Sequence, residues 1–245
     1  MYSLCFHRSP RSTERRSQGR SLCLVVDDDA VCRTVVQAQL RTLGLDAIAA
    51  ACAREAMVQI RRRRPSTVLI DSCLPDSDGY GLAQRIRRHE IQSRRGGPPA
   101  PLVLVALSAR HDDLHVRRCI ASGMDDVLAK PASLPALATA LGLPLLPQAA
   151  VGGQGADRLQ ELYRASCLRD LAALRLALRD EDWARARKYA HRIRGASQVV
   201  GAHALAGIAA MLERVDGDRE AESGARRRAL QWMQQLLDPA QVQRA

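Results

Sequence analysis

The hydrophobic and polar positions of this chain follow two different patterns, separated by a stretch rich in proline and glycine. Before that stretch, short apolar runs alternate with segments in which apolar residues recur every three or four positions. The runs predict strands at 21–26, 45–49, 67–71, 101–107 and 126–129, and the segments predict helices at 30–43, 53–64, 78–90, 111–121 and 133–141. Such alternation is typical of a doubly wound α/β domain with a five-stranded parallel sheet.

After the proline- and glycine-rich stretch, only helical periodicity remains. It predicts helices at 156–179, 183–200, 202–215 and 220–236. The simplest arrangement of these helices is a second, all-α domain built as an antiparallel helical bundle. The predicted organisation is a disordered basic segment (1–20), an α/β domain (21–142), a linker (143–155) and the helical domain (156–240), with a mobile loop at 92–100.

Composition narrows the possible classes of protein. The seven cysteines are odd in number and form no CxxC pair, which favours reduced thiols and a cytoplasmic location. No apolar run is long enough for a transmembrane helix. The net charge of +11 invites a nucleic-acid interpretation, but the densest run, Arg61–Arg64, closes a predicted helix, where it complements the helix dipole. Binding to nucleic acid is therefore not expected.

Polar residues stand at the carboxyl ends of four of the predicted strands. Asp27 and Asp28 follow the first strand, Asp71 ends the third, Ser108 follows the fourth and Lys130 follows the fifth. In an open α/β sheet these positions meet at one edge, where ligands bind. Clustered carboxylates repel one another unless a cation lies among them, and their oxygens suit Mg²⁺. Each residue alone is more simply an ordinary surface residue, but the combination favours a site.

The chemistry of such a cluster is phosphoryl transfer. A carboxylate can attack phosphorus and form an aspartyl phosphate, and catalysis then consists mainly of positioning and neutralising charge. Of the 37 lysine and arginine residues, only Lys130 and Lys188 are lysines. The compact ammonium of Lys130 is therefore a specific feature, because arginine does not imitate its geometry well.

The motifs VVDDD, DSCLPDSDG, the serine after the fourth strand and GMDDVLAKP resemble the receiver domain of two-component response regulators over residues 21–142. The resemblance implies a flavodoxin-like fold and a phosphorylated Asp71. It further implies that Mg²⁺ is held by Asp27, Asp28, Asp71 and the carbonyl of Cys73. The phosphoryl group would be contacted by Ser108 and Lys130. Asp29 is expected to initiate a helix instead.

Two further features of this resemblance concern the loop after Asp71 and the fifth strand. Pro75, Asp78 and Gly79 match the residues that shape the loop. Val127 stands where many receivers carry an aromatic residue, so the usual coupling between a hydroxyl and an aromatic side chain is not expected here.

A histidine in the predicted helix 183–200 carries a second candidate chemistry. At about 100° per residue, His191 lies opposite the apolar stripe of that helix and is predicted to face solvent. Lys188 and Arg194 lie on its side of the helix and would stabilise a phosphorylated imidazole. Gly195 and Gln198 follow on the next turns, and the glycine leaves room for a partner to approach.

The segment AHRIRGASQVVGAHAL, followed by MLE at 211–213, resembles the histidine phosphotransfer (HPt) domain over residues 156–240. The resemblance implies that His191 is the phosphoacceptor, supported by Lys188, Arg194, Gly195 and Gln198. Arg194 replaces the lysine that is more usual in the motif.

The two resemblances together predict a phosphorelay protein, similar to the C-terminal part of unorthodox hybrid sensor kinases. An upstream histidine kinase would phosphorylate Asp71, and His191 would pass the phosphoryl group to a downstream response regulator. No ATP-binding region is recognisable, so autophosphorylation from ATP is not expected. Transfer within one chain or between chains remains open.

Two alternatives also remain open at this point. The helical domain could be an output module that binds DNA or a protein, or the chain could act as a phosphate sink that drains a kinase.

Overall fold

A computed structural model describes residues 21–92, 102–109, 112–143, 154–214 and 229–237 except 232 and 236. Its first half contains a parallel sheet with strand order β2-β1-β3-β4-β5. The strands are β1 (Leu22–Val26), β2 (Asp46–Ala50), β3 (Thr67–Asp71), β4 (Val103–Ser108) and β5 (Asp126–Ala129). From β1 the chain adds β2 on one side and β3 to β5 on the other. The point between β1 and β3 is therefore the switch point of the sheet, where a doubly wound fold has its ligand-binding crevice.

Five helices cover the two faces of the sheet. They are α1 (Ala30–Thr42), α2 (Ala53–Arg63), α3 (Gly79–Gln92), α4 (Asp113–Ala121) and α5 (Leu134–Ala140). Leu82 and Ile86 of α3 belong to the apolar core on one face, whereas Leu40 of α1 and Leu137 of α5 belong to the core on the other. The sheet thus forms the middle of three layers, and the predicted α/β architecture is confirmed.

The second half is helical in the residues that the structure describes. Its helices are α6 (Gln154–Arg179), α7 (Trp183–Val199) and α8 (His203–Glu213). Leu171 and Leu174 of α6, Ile193 of α7 and Leu205 of α8 belong to one buried core. A glycine with φ of +78°, Gly201, lies in the turn between α7 and α8, in the left-handed region that favours glycine.

The helical domain packs on the α/β domain through α1. Val31 of α1 is fully buried and belongs to the core of the helical domain rather than to either core of the sheet. Asp29 accepts a hydrogen bond from the Ser166 hydroxyl of α6 at 3.3 Å, although both residues lie in different domains. The contact between the two domains therefore includes both apolar packing and a hydrogen bond.

Most boundaries differ from the predicted ones by one or two residues. Helix α6 begins at Gln154, inside the stretch 143–155 that we predicted as a linker, and Ser108 is the last residue of β4 rather than the residue after it. Of the predicted helix 220–236, the described residues 229–231 and 233–235 are helical. The predicted disordered segment (1–20) and residues 93–100 of the predicted loop lie outside the described residues.

Among the described residues, no helix combines the length and apolar character needed to cross a membrane.

Candidate functional site

The three candidate metal-binding carboxylates converge at the carboxyl ends of two adjacent strands. Asp27 and Asp28 follow β1 directly, and Asp71 is the last residue of β3, which pairs with β1. One carboxylate oxygen from each residue lies within 4.8 Å of the others. The register of the parallel sheet produces this cluster, as the strand-end pattern predicts.

Lys130 neutralises part of this charge from the end of β5. Its Nζ lies 2.6 Å from Asp27 Oδ2 and 3.0 Å from Asp71 Oδ1, and its side chain is only 7% exposed. Burial alone would lower the pKa of Lys130, but the attraction of Asp27 and Asp71 outweighs it and raises that pKa well above its usual value. The lysine is therefore a fixed positive charge beside Asp71.

Asp71 is itself buried, and burial raises its pKa to about 6, although Lys130 opposes the change. Ser108, on the adjoining strand, is buried next to the residue that pairs with Asp71 in the sheet register. A Cβ on Gly79 would lie 2.5 Å from the carbonyl oxygen of Asp71, so only glycine permits the loop to return this close to the site. This observation explains the glycine of the DSCLPDSDG motif.

The donor set fits a divalent cation. Three buried or nearly buried carboxylates face one ammonium within the α/β domain, which leaves a formal charge of about −2 for an ion to balance. Asp27, Asp28 and Asp71 would hold the ion. Cys73 lies two residues after Asp71 and forms a β-bridge with Asp78. Its carbonyl oxygen stays a predicted further ligand.

His191 lies on the opposite side of α7 from the bundle core but does not face open solvent. Its side chain is only 15% exposed. The prediction that it is exposed was wrong, because helical periodicity reports only which side of a helix faces its own domain. Here the α/β domain covers the other side, and His191 lines the same pocket as Asp27, Asp28, Asp71 and Lys130.

Two side chains orient the imidazole of His191. Its Nδ1 lies 2.9 Å from Glu213 Oε1 of α8 and 3.3 Å from Arg194 Nη2. A carboxylate only accepts and a guanidinium only donates, so Nδ1 cannot satisfy both. The shorter distance favours an Nδ1–H that donates to Glu213, while Arg194 Nη1 forms an ion pair with Glu213 Oε2 at 2.6 Å. This tautomer leaves the Nε2 lone pair available as a nucleophile.

Arg192, the residue after His191, connects the two domains. Its Nη1 lies 3.0 Å from Asp28 Oδ2, and its Nε donates to Asp170 Oδ2 of α6 at 3.1 Å. Lys188 Nζ approaches the same Asp28 oxygen at 3.9 Å. Burial raises the pKa of Asp28, and Arg192 is the strongest of the neighbours that lower it.

Both domains therefore contribute to one small pocket. It is lined by Asp27, Asp28, Asp29, Cys32, Asp71, Lys130, His191, Arg192 and Gly195. A Cβ on Gly195 would lie 3.9 Å from Cys32 Sγ of α1, which is ordinary van der Waals contact. Gly195 therefore lies beside α1 of the α/β domain, and alanine would also fit there.

The structure places the other predicted residues around this pocket or away from it. Lys188 and Arg194 contact pocket residues without lining it, and Gln198 lies further along α7 and is not part of the lining. Asp29 caps α1, as predicted, by accepting from the backbone N–H groups of Val31 and Cys32. Val127 is partly buried and packs against the apolar core.

Sequence reasoning missed the roles of Arg192, Asp170 and Glu213. Arg192 lies about 100° from His191 around the helix, whereas Lys188 and Arg194 lie within about 60° of it. Asp170 carries only a weak sequence signal, an acid beside the apolar positions of α6, and Glu213 is the last residue of the MLE sequence. None of these signals identifies its partner, because each partner lies on another element.

Comparison with known families separates the same two halves. The sequence model of the response regulator receiver domain matches residues 23–142, and that of the Hpt domain matches residues 158–242. The receiver domain of the Francisella response regulator 1452 is similar in structure, with 24% sequence identity and a TM-score of 0.44, over 50% of this chain and 94% of that one.

Two curated relatives illustrate the match. The transcriptional regulatory protein AfsQ1 of Streptomyces coelicolor is 34% identical over 45% of this chain and 44% of its own length. The virulence sensor protein BvgS of Bordetella bronchiseptica is 29% identical over 83% of this chain, which spans only 19% of BvgS. The second alignment extends across both halves. The chain therefore belongs to the two-component signalling proteins and consists of a response regulator receiver domain followed by an Hpt domain.

Proposed function

We propose that this chain is a phosphorelay step in which Asp71 accepts a phosphoryl group and passes it to His191 of the same chain. An upstream histidine kinase would supply the group, and a separate response regulator would receive it from His191. The observation that carries the proposal is that the carboxylate of the receiver and the imidazole of the Hpt domain line one pocket. This chain covers only 44% of AfsQ1 and 19% of BvgS, so the function of either relative as a whole does not carry over to it.

The receiver side would provide a nucleophile and fixed charges. Bound Mg²⁺, held by Asp27, Asp28 and Asp71, would neutralise phosphoryl oxygens. A carboxylate oxygen of Asp71 would attack phosphorus as the bond from phosphorus to the kinase histidine breaks, and the electron pair of that bond would return to the kinase imidazole. The Lys130 ammonium, which is already 3.0 Å from Asp71 Oδ1, would stabilise the charge on the transferred group. The Ser108 hydroxyl would donate a further hydrogen bond.

Transfer to the histidine would use the tautomer that Glu213 selects. The Nε2 lone pair of His191 forms the new bond to phosphorus, the bond from phosphorus to the Asp71 oxygen breaks, and its electron pair restores the carboxylate. The resulting positive charge on the imidazole ring is balanced by Glu213 at Nδ1. The proton on Nδ1 would therefore stay in the hydrogen bond between His191 and Glu213 throughout the step.

Access to the pocket requires the domains to separate. Asp71 is 3% exposed, and the imidazole of His191 is 15% exposed. Neither a kinase histidine nor the aspartate of another regulator fits while the two domains face each other. The docked arrangement would therefore serve the internal step, and an opened arrangement would serve the exchange with partners.

The test is labelling with a small-molecule phosphodonor and Mg²⁺ in wild type, Asp71→Asn and His191→Gln. We expect base-stable histidyl label in the wild type and its loss in both variants, with acid-stable aspartyl label kept in His191→Gln. If His191→Gln changes nothing and only aspartyl label forms, the relay proposal fails and the output-module alternative gains.

Mixing the two variants distinguishes transfer within one chain from transfer between chains. His191→Gln can supply phosphorylated Asp71, and Asp71→Asn can accept on His191, so only transfer between chains restores histidyl label in the mixture. We expect the mixture to label His191 far more slowly than the wild type, with the wild-type rate independent of protein concentration. Restoration to the wild-type rate would contradict transfer within one chain.

A phosphate sink is distinguished by the onward step. We expect labelled wild-type chain to transfer its histidyl group to a cognate response regulator faster than it loses phosphate to water. Faster hydrolysis than transfer, with every regulator of the same cell, would favour the sink.

A further inference from the structure

The docked pocket contains more positive charge than the receiver domain alone provides. In the receiver, Lys130 faces the carboxylates of Asp27, Asp28 and Asp71. Docking adds the guanidinium of Arg192 at 3.0 Å from Asp28 Oδ2 and the ammonium of Lys188 at 3.9 Å from the same oxygen. These two cations carry the same formal charge as one divalent metal ion.

Arg192 is held in place from both sides. Its Nε donates to Asp170 in the helical domain while its Nη1 donates to Asp28 in the receiver. The Asp28 side chain is only 5% exposed, so little water is available to screen it. A metal ion bound to Asp28 would share that carboxylate with a guanidinium and would repel it at short range.

We propose that Arg192 and Mg²⁺ compete for Asp28, so that the metal ion weakens the docking of the Hpt domain and docking weakens the binding of the metal ion. The proposal rests on the magnesium site described under the proposed function. Coupling between two binding events is reciprocal, so each side of the competition can be measured independently.

The competition would order the relay steps in the unphosphorylated chain. The metal ion would favour the opened arrangement, in which Asp71 is accessible to a kinase. A phosphoryl group on Asp71 adds negative charge and oxygen ligands, so the metal ion and Arg192 could then be accommodated together. Redocking would bring His191 to the phosphoryl group only after that group has arrived.

The first test is calorimetric titration of Mg²⁺ into the full chain as wild type, Arg192→Gln and Arg185→Gln. The matched control, Arg185, lies on the same helix and is exposed, and its substitution removes the same charge. We expect Arg192→Gln to bind Mg²⁺ at least about fivefold more tightly than wild type, at the lower end of typical coupling between sites. Arg185→Gln should match the wild type.

Lys188→Gln provides a second variant whose folding is at little risk, since the Lys188 side chain is 32% exposed. It should tighten Mg²⁺ binding in the same direction but less than Arg192→Gln, because its ammonium lies further from Asp28. Equal affinity in wild type, Arg192→Gln and Lys188→Gln would overturn the competition while leaving the magnesium site intact. Absence of Mg²⁺ binding in all variants would overturn the magnesium site and the competition together.

The second readout is hydrogen exchange of α1 (Ala30–Thr42) and α6 (Gln154–Arg179) in the wild type, with and without Mg²⁺. Both helices contribute to the domain contact, through Val31 and Ser166. We expect Mg²⁺ to increase exchange in both helices in the unphosphorylated chain. Unchanged or slower exchange with the metal ion bound would contradict the competition.

Discussion

The two sides of the shared pocket are built in different ways. On the receiver side, Asp27, Asp71 and Lys130 extend from the ends of strands, and their side chains are between 1% and 7% exposed. On the Hpt side, His191 and Arg192 extend from the surface of one helix and are 15% and 21% exposed. The receiver geometry follows from backbone register, whereas the Hpt geometry depends on partners contributed by other elements.

This difference separates what each domain can do alone. An isolated receiver retains its carboxylates and lysine, because β1, β3 and β5 belong to one sheet. An isolated Hpt domain would keep the Glu213 contact of His191 but would lose the contact between Arg192 and Asp28. The receiver site is therefore preorganised within its domain, and the complete pocket is a property of the docked chain.

The largest expected effect breaks the receiver side. Replacement of Lys130 by methionine leaves two buried carboxylates without their shared counter-ion, so without metal the free energy of unfolding should fall by about 3–5 kcal/mol. Urea unfolding in the presence of a chelator measures this loss. Added Mg²⁺ should restore part of it, because the ion replaces the missing charge.

Lys188→Met is the matched control for Lys130→Met. Its ammonium is 3.9 Å from Asp28 and partly exposed, so the substitution should change the free energy of unfolding by less than about 1 kcal/mol. Equal destabilisation by the two substitutions would show that the receiver site is no more dependent on its lysine than the domain contact is.

Sequence patterns predicted the receiver side well and the Hpt side only in part. The strand ends located Asp71 and Lys130 because alternation of strands and helices determines which residues meet at the edge of a sheet. Periodicity also placed His191 away from its own core, but it could not reveal that a second domain covers it. The pairing of Arg192 with Asp28 spans 164 positions and depends on how the domains dock, which no local pattern encodes.

An intermediate effect concerns Asp170, the buried carboxylate that holds Arg192 from the Hpt side. Burial raises its pKa to about 6 from 3.8, although Arg192 opposes the change. The folded chain thus binds a proton more tightly than the unfolded chain, and this contribution to stability is lost as pH rises through about 6. Between pH 4 and pH 7, the free energy of unfolding of the wild type should therefore fall by on the order of 2 kcal/mol relative to that of Asp170→Asn.

Unfolding by urea across this pH range, with a chelator present, measures the difference between the two proteins. Their common carboxylates cancel in the comparison, which isolates Asp170. A difference that stays constant with pH would mean that Asp170 has the same pKa in the folded and unfolded chains. Carboxylates perturbed by burial would then be found on the receiver side of the pocket and not at Asp170.

The smallest expected effect concerns the orientation of the imidazole. Glu213→Gln preserves an acceptor for Nδ1–H but removes the negative charge that pairs with Arg194 and that would balance a phosphorylated ring. The loss of about 1 kcal/mol between a charged and a neutral acceptor should slow transfer from Asp71 to His191 about fivefold. Rapid-quench measurement of a single transfer event gives this rate, and the yield of aspartyl label should not change. Met211→Leu, an exposed change on the same helix, should leave the transfer rate at the wild-type value. If Glu213→Gln also transfers at that rate, side-chain partners do not set the reactivity of His191, and the Hpt side would owe its chemistry to docking alone.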